Sequence, residues 1–212
     1  MHEEWKPIYT ALVCDIMDQL GHRDQAMSYD IRPSHADAWI AGTAITLDAY
    51  ENHQEHDDPY GQIFAAYEVA QRGDVFIVAT NGECKSGLWG ELLSTRAEYL
   101  KAGGCITDGS VRDVRMIREM GFPIYAGNIS PLDTKYRGKL MWSDVPGKIH
   151  GVSVQSGDLI FGDVDGVLVV PGEHVETALE KAFEKVSQEN VVRQKLQEGQ
   201  TLEQIFADHG IL

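Results

Sequence analysis

Apolar positions along the chain fall into two rhythms, one of helical and one of strand period. Tyr9 to Leu20 (YTALVCDIMDQL) spaces its apolar residues as a helix does, and Gly21 offers a C-cap. Ala38 to Ala49 is rich in β-formers and alternates in part, as a strand does. A polar stretch, 51–59, follows. Pro59 is suited to open a helix over Tyr60 to Gln71, because the first helical position needs no amide donor.

The middle of the chain alternates regularly. Gly73-Asp74 leads into the apolar run VFIVA, which reads as a short buried strand, and Thr80 to Gly87 as the loop after it. Leu88 to Ala102 has amphipathic helical spacing and stops at Gly103-Gly104. A strand, CITDG, leads into the loop Ser110 to Asp113. A helix over Val114 to Met120 stops at Gly121, and a strand runs from Pro123 to Ala126. Strand, helix and strand in this order predict an α/β fold with short parallel crossovers.

The last third changes character. Gly151 to Val170 holds short strands parted by Gly-Asp turns, and Glu173 to Lys195 and Thr201 to His209 read as a long and a short helix. The expectation is one domain over residues 1–212, an α/β core with a β-rich layer and a C-terminal helical arm. No linker or low-complexity tract divides it.

Charge narrows the function. The formal net charge is −15, without a Lys/Arg run, so a phosphate backbone or an anionic lipid surface would be repelled. No apolar run reaches the roughly 20 residues that span a bilayer. Met1 to Trp5 carries acids where a signal peptide carries basic and then apolar residues, and the three cysteines form no C-x-x-C pair. A reduced, cytoplasmic setting is expected.

In α/β folds, functional groups gather on loops at the carboxyl ends of parallel strands. Two such loops end adjacent strand candidates. One runs from Asn81 to Gly87 into Trp89-Gly90-Glu91-Leu92-Leu93; the other is Asp108 to Asp113. Amides in a first helical turn have no intrahelical partner and sit at the positive end of the helix dipole. A substrate carboxylate could therefore rest on Glu91, Leu92 and Leu93. Arg112 offers a planar donor fork for a carboxylate or enolate oxygen. Asp113 is a hard oxygen ligand for magnesium or manganese, and Glu91 could hold a metal-bound water. These are parts for stabilising an enolate beside a breaking C–C bond. Equally, an adjacent Arg-Asp pair in a loop is often only a turn or a surface ion pair.

The pieces GDVFIVATNGE, WGELLSTRAEYLKAGG, ITDGSVRDV, GFPIYAGNISP and FGDVDGVLVVP, in this order, resemble the RraA-like family. That family includes 4-hydroxy-4-methyl-2-oxoglutarate aldolases and related oxaloacetate decarboxylases. The resemblance implies a swivelling β/β/α sandwich and a divalent-metal-dependent lyase that cleaves a 2-oxo acid to pyruvate. By position, Asp113 is the implied metal ligand, Arg112 the group on substrate and enolate, and Gly90, Glu91, Leu92 and Leu93 the loop that binds the pyruvyl carboxylate. Glu91 stands where the aldolases usually have Asp; its extra methylene moves the carboxylate by about 1.5 Å, one carbon–carbon bond. Met116 stands where the motif often has an acid. The first departure bears on the role of Glu91, and the second leaves substrate choice, and the aldolase step itself, open. The resemblance further implies a homotrimer or hexamer with the site at a subunit interface, where Glu189 of the C-terminal helix could contribute. Two other readings stay open: a protein-binding regulator of an RNA-degrading endonuclease, and a lyase or isomerase on sugar-derived acids.

Other clusters carry less. His53 to Asp58 lacks the helical framing of a zinc motif but could meet the distal part of a substrate. Lys135 or Arg137 could meet a second substrate carboxylate. Cys84 and Cys105 read as small buried residues.

Overall fold

The structure, a computed structural model, describes residues 3–53, 60–82, 84–142, 144 and 146–210. In chain order its elements are α1 (Thr10–Gln19), β1 (Arg32–Pro33), β2 (Ile40–Glu51), α2 (Gly61–Val69), β3 (Val75–Ala79), β4 (Gly87–Trp89), α3 (Glu91–Tyr99), β5 (Gly104–Val111) and α4 (Val114–Met120). Then come β6 (Ile124–Ile129), β7 (Gly138–Trp142), β8 (Gly147–Ile149), β9 (Val152–Val154), β10 (Leu159–Gly162), β11 (Val167–Val170), α5 (Val175–Gln197) and α6 (Leu202–His209).

Among the described residues, one large sheet runs β1-β6-β5-β3-β2-β10-β11, with β4 added to β5 and β7 to β2. The pairs β2–β3, β3–β5 and β5–β6 are parallel, each joined by a crossover that contains a helix. Residues of β3 and β5 are buried from end to end, as expected for parallel strands covered on both faces. β2 is long enough to serve two neighbourhoods. Its first half pairs antiparallel with β10, and its second half runs beside β3 and β7. The α/β class and the C-terminal helical arm expected from the sequence are both present.

Three apolar clusters hold these layers together. Phe76, Trp89 and Ile117 belong to the one that packs α2, α3 and α4 on the parallel strands. Ile77, Ile106 and Tyr125 fill the opposite face toward β8 and β9. Leu12, Phe161 and Ala182 join α1 and α5 to β10 and β11. The start of α1 is capped from a distance: Asp163 accepts from the Thr10 amide (2.8 Å) and hydroxyl (2.6 Å). On the arm, Thr201 and Gln204 close a capping box on α6. Among the described residues no helix is long and apolar enough to cross a membrane.

The structure departs from the sequence reading where the site is built. Leu88 and Trp89 belong to β4 rather than to the following helix, and Ser110 and Val111 extend β5 rather than opening a loop. Trp89 is fully buried against Phe76, with ring centroids 5.2 Å apart, and its indole donates to the Ser94 hydroxyl at 2.9 Å. An apolar pair of this kind fits a buried strand end as well as a helical turn, so spacing alone could not separate them. Gly90, in extended conformation, makes the break, and α3 begins at Glu91.

Candidate active site

The segments that follow β3, β5 and β6 meet at the carboxyl edge of the parallel strands, and hydrogen bonds tie them together. Asp108, buried in β5, accepts the Thr80 amide at 2.7 Å and the Gly82 amide at 3.1 Å, which fixes the loop after β3. The Thr134 hydroxyl donates to the Gly87 carbonyl (2.9 Å), and the Gly87 amide to the Leu132 carbonyl (2.9 Å). These bonds bring the segment after β6 against β4.

Arg112 leaves the end of β5 into this junction. Its amide donates to the Trp89 carbonyl at 2.9 Å. Its guanidinium lies between two carboxylates, Nη1 3.2 Å from Asp133 Oδ1 and Nε 3.5 Å from Asp113 Oδ2. The stem has room only because two neighbours are glycines. A Cβ on Gly87 would stand 2.8 Å from Arg112 Cβ, and one on Gly90 would stand 2.7 Å from Asp113 Oδ2. Gly90 is therefore a requirement of the Arg-Asp pair that packs on it.

Asp113 has left-handed backbone angles, φ 57° and ψ 26°. That region costs most residues about 1–2 kcal/mol, with Asp and Asn among the more tolerant. The twist keeps its carboxylate from capping α4. Oδ2 instead accepts the Glu91 amide at 3.3 Å. Next to it, the first-turn amides of Leu92 and Leu93 have no protein partner among the described residues.

These groups face a cleft of about 340 Å³. Its apolar lining comes from Tyr60 at the N-cap of α2, Ile63 and Phe64 of α2, and Leu88, Leu92 and Leu93. Its polar lining is Arg112, Asp113, Asp133 and Thr134. Tyr67 holds α2 to α3 by donating to the Leu93 carbonyl at 2.7 Å; burial raises its hydroxyl pKa, so it remains a donor.

The sequence-derived residues thus divide. Gly90, Leu92, Leu93, Arg112 and Asp113 come together in the cleft. Glu91 starts the same helix, but its carboxylate is turned along α3 to accept the Thr95 hydroxyl (2.8 Å), and it does not line the cleft. Arg137 donates to the Asp133 carbonyl at 3.3 Å, and the Lys135 ammonium sits over the Tyr136 ring at 5.1 Å; neither lines the cleft. Glu189 packs between α5 and α1, where it accepts from the Tyr9 hydroxyl. Of the His53 to Asp58 cluster, 54–58 lie outside the described residues, and His53 stands 3.9 Å from Glu51. Cys84 and Cys105 are buried, and burial raises the Cys105 thiol. The sequence reading missed Asp133. The signal is an acid on the loop after the strand next to β5, which in sequence stands beside the basic Lys135 and Arg137.

No group of three or more His, Cys, Asp or Glu among the described residues could hold a metal. A cage of protein ligands is thus ruled out within them. The arrangement does fit a hard cation that keeps most of its own water: Asp113 is 40% exposed in its side chain, and its Oδ1 has no protein partner among the described residues. One or two carboxylates plus water is the usual way proteins hold magnesium.

A family model described as RraA-like, Aldolase/RraA, matches residues 10–169. The chain belongs to the RraA-like family. Among its relatives, a protein of Halalkalibacterium halodurans provisionally named 4-hydroxy-4-methyl-2-oxoglutarate aldolase is 30% identical over 182 residues, which is 86% of this chain and 81% of that one. Among solved structures, Streptomyces coelicolor RraAS2, described as an unusual member of the RNase ES inhibitor RraA protein family, superposes with a TM-score of 0.77 at 26% identity, covering 91% of this chain and 96% of that one. An uncharacterized Pseudomonas syringae protein shares the fold with a TM-score of 0.85 at 24% identity, covering 98% and 92%. The RraA-like match spans every element that builds the cleft.

Proposed function

We propose that this RraA-like protein is a divalent-metal-dependent carbon–carbon lyase that cleaves a 4-hydroxy-2-oxo acid by a retro-aldol reaction to give pyruvate. Oxaloacetate decarboxylation is a companion activity, since both reactions pass through the enolate of pyruvate. The observation that carries this reading is the grouping of Arg112, Asp113 and the unpartnered Leu92 and Leu93 amides in one cleft. The names of relatives support the reaction class.

The amides of Leu92 and Leu93, at the positive end of α3, bind the carboxylate of the 2-oxo acid. Arg112 points its guanidinium at the C2 oxygen and stabilises the negative charge that grows there as the C3–C4 bond breaks. Asp133 and Asp113 keep that guanidinium in one place, so little reorganisation is needed at the moment of reaction. Asp113 would hold the cation, magnesium or manganese, which when bound supplies a Lewis acid for the 2-oxo group. Glu91, once released from Thr95, orients the water that takes the proton of the C4 hydroxyl and returns it to C3. Assembly as a trimer or pair of trimers would set this cleft against a neighbouring copy.

The test is pyruvate release from 4-hydroxy-2-oxo acids, 4-hydroxy-4-methyl-2-oxoglutarate among them, and from oxaloacetate. It is run with and without magnesium or manganese, for wild type and Asp113→Ala. Metal-dependent turnover that the variant loses is the expected result. A folded protein that neither turns over these compounds nor binds the metal would overturn the reading and put the protein-binding regulator first.

A further inference from the structure

Trp89, Gly90 and Ser94 form a buried link behind the cleft. The Trp89 indole donates to the Ser94 hydroxyl at 2.9 Å, and that hydroxyl donates to the Gly90 carbonyl at 3.0 Å. An indole N–H can only donate, so it takes a lone pair of Ser94 Oγ and leaves the hydroxyl proton to be given onward. The ring itself is held, with Phe76 at 5.2 Å and Tyr67 at 6.1 Å between centroids. Trp89 and Ser94 are fully buried within one chain, so a neighbouring copy cannot reach this link.

A serine that bonds back to the carbonyl four residues earlier is common in helices, and by itself it shapes only the helix. Here both ends of the link reach the Arg-Asp pair. The Gly90 carbonyl belongs to the same planar peptide as the Glu91 amide, and that amide donates to Asp113 Oδ2 at 3.3 Å. Holding the carbonyl therefore holds the N–H that orients the Asp113 carboxylate. Two donors sit on the carbonyl, the Ser94 amide at 3.1 Å and the Ser94 hydroxyl. They polarise it, and the N–H across the peptide becomes a stronger donor. At the other end, the Trp89 carbonyl accepts the Arg112 amide at 2.9 Å. Trp89 and the Gly90–Glu91 peptide thus each touch one member of the pair, and Ser94 joins them.

We propose that Ser94 is a positioning residue of the lyase site, fixing through the Gly90–Glu91 peptide the Asp113 carboxylate that holds the metal. The proposal rests on the lyase reading above and adds to it a residue that touches neither substrate nor cation. Asp113 also flanks the Arg112 guanidinium, 3.5 Å from Nε, so its orientation bears on turnover as well as on metal affinity. Removing the Ser94 hydroxyl leaves the amide of residue 94 on the Gly90 carbonyl. The first turn of α3 and its Leu92 and Leu93 amides should therefore stand, and with them the binding of the substrate carboxylate.

The test compares wild type, Ser94→Ala, Trp89→Phe and the double variant, each as the full chain. Manganese binding is measured by calorimetry and oxaloacetate turnover by steady-state kinetics at saturating manganese, with a thermal melt to show that each protein is folded. We expect Ser94→Ala to lose on the order of tenfold in manganese affinity and to turn over more slowly, as variants in the outer partners of metal ligands do. Its KM should stay within about twofold of wild type, because substrate binding is untouched. Trp89→Phe keeps an aromatic ring and frees the hydroxyl from its donor, so it should lose less. The double variant should lose no more than Ser94→Ala, since both changes break one link. If Trp89→Phe does not fold, Ser94→Ala decides alone. A folded Ser94→Ala with wild-type manganese affinity and kcat would overturn the inference and leave the lyase standing. Losses that add in the double variant, or that fall on KM alone, would overturn it too and mark Ser94 as a packing residue. Wild type that binds no manganese and releases no pyruvate from oxaloacetate would bring down the lyase reading, and the inference with it.

Discussion

Asp133 Oδ1 lies 3.2 Å from Arg112 Nη1, so a residue of the loop after β6 sets the direction of a guanidinium that leaves the end of β5. Asp133→Asn keeps the shape and removes the charge. Both partners are partly exposed, so the stability cost should stay below about 1 kcal/mol. The effect belongs in turnover: kcat should fall about tenfold as Arg112 loses one of its two anchors. Steady-state kinetics and a thermal melt, run together, separate these two effects.

Asp113 combines an unusual backbone with the proposed metal contact. Asn tolerates left-handed angles at least as well as Asp, so Asp113→Asn should melt close to wild type yet lose metal binding and activity. Asp113→Ala adds the backbone penalty of about 1 kcal/mol and should melt measurably lower. Calorimetric titration of manganese into both variants checks the first effect, and thermal melts check the second.

Gly90 is tested by its smallest substitution. In Gly90→Ala the new Cβ would meet Asp113 Oδ2 at 2.7 Å and the Arg112 stem at 3.1 Å. One of the two side chains must move. The helix N-cap itself should lose only about 1 kcal/mol, whereas kcat/KM should drop tenfold or more because the Arg-Asp pair shifts. Wild-type activity in this variant would show that the pair's position is not limiting.

The C-terminal arm gives a prediction in alkali. Burial first, and then the hydrogen bond to Glu189, push the Tyr9 hydroxyl up from 10.0 to about 12. A group with a raised folded-state pKa contributes stability that is complete below the unfolded value and is lost as pH rises through the folded one. Between pH 10 and about 12, wild type should therefore lose stability more steeply than Tyr9→Phe. Denaturant melts of both proteins across that range provide the check.

Much of this site could be read from the chain. Gly-Gly and Gly stops mark the ends of α3 and α4, and the parallel alternation sets the ends of β3 and β5 side by side, which brings Gly90, Leu92, Leu93, Arg112 and Asp113 together. What was hidden depended on pairing or on rotamer. Trp89 and Val111 became strand residues because β4 and β5 pair, which no local period reveals. Asp133 joined the site through a contact from a third strand's loop. The turn of Glu91 toward Thr95 is a side-chain choice between a cleft and a helix face, and both are compatible with the same sequence.

The central claim is that pyruvate forms its enolate in the Arg112 cleft, and it can be tested without knowing the distal half of the substrate. Pyruvate is incubated with the protein and manganese in deuterium oxide, and its methyl signal is followed by proton NMR. The account predicts loss of that signal at a rate well above the metal-only control, abolished in Asp113→Ala and strongly reduced in Arg112→Met. Pyruvate that binds to folded, metal-loaded wild-type protein yet exchanges no faster than the control would contradict it.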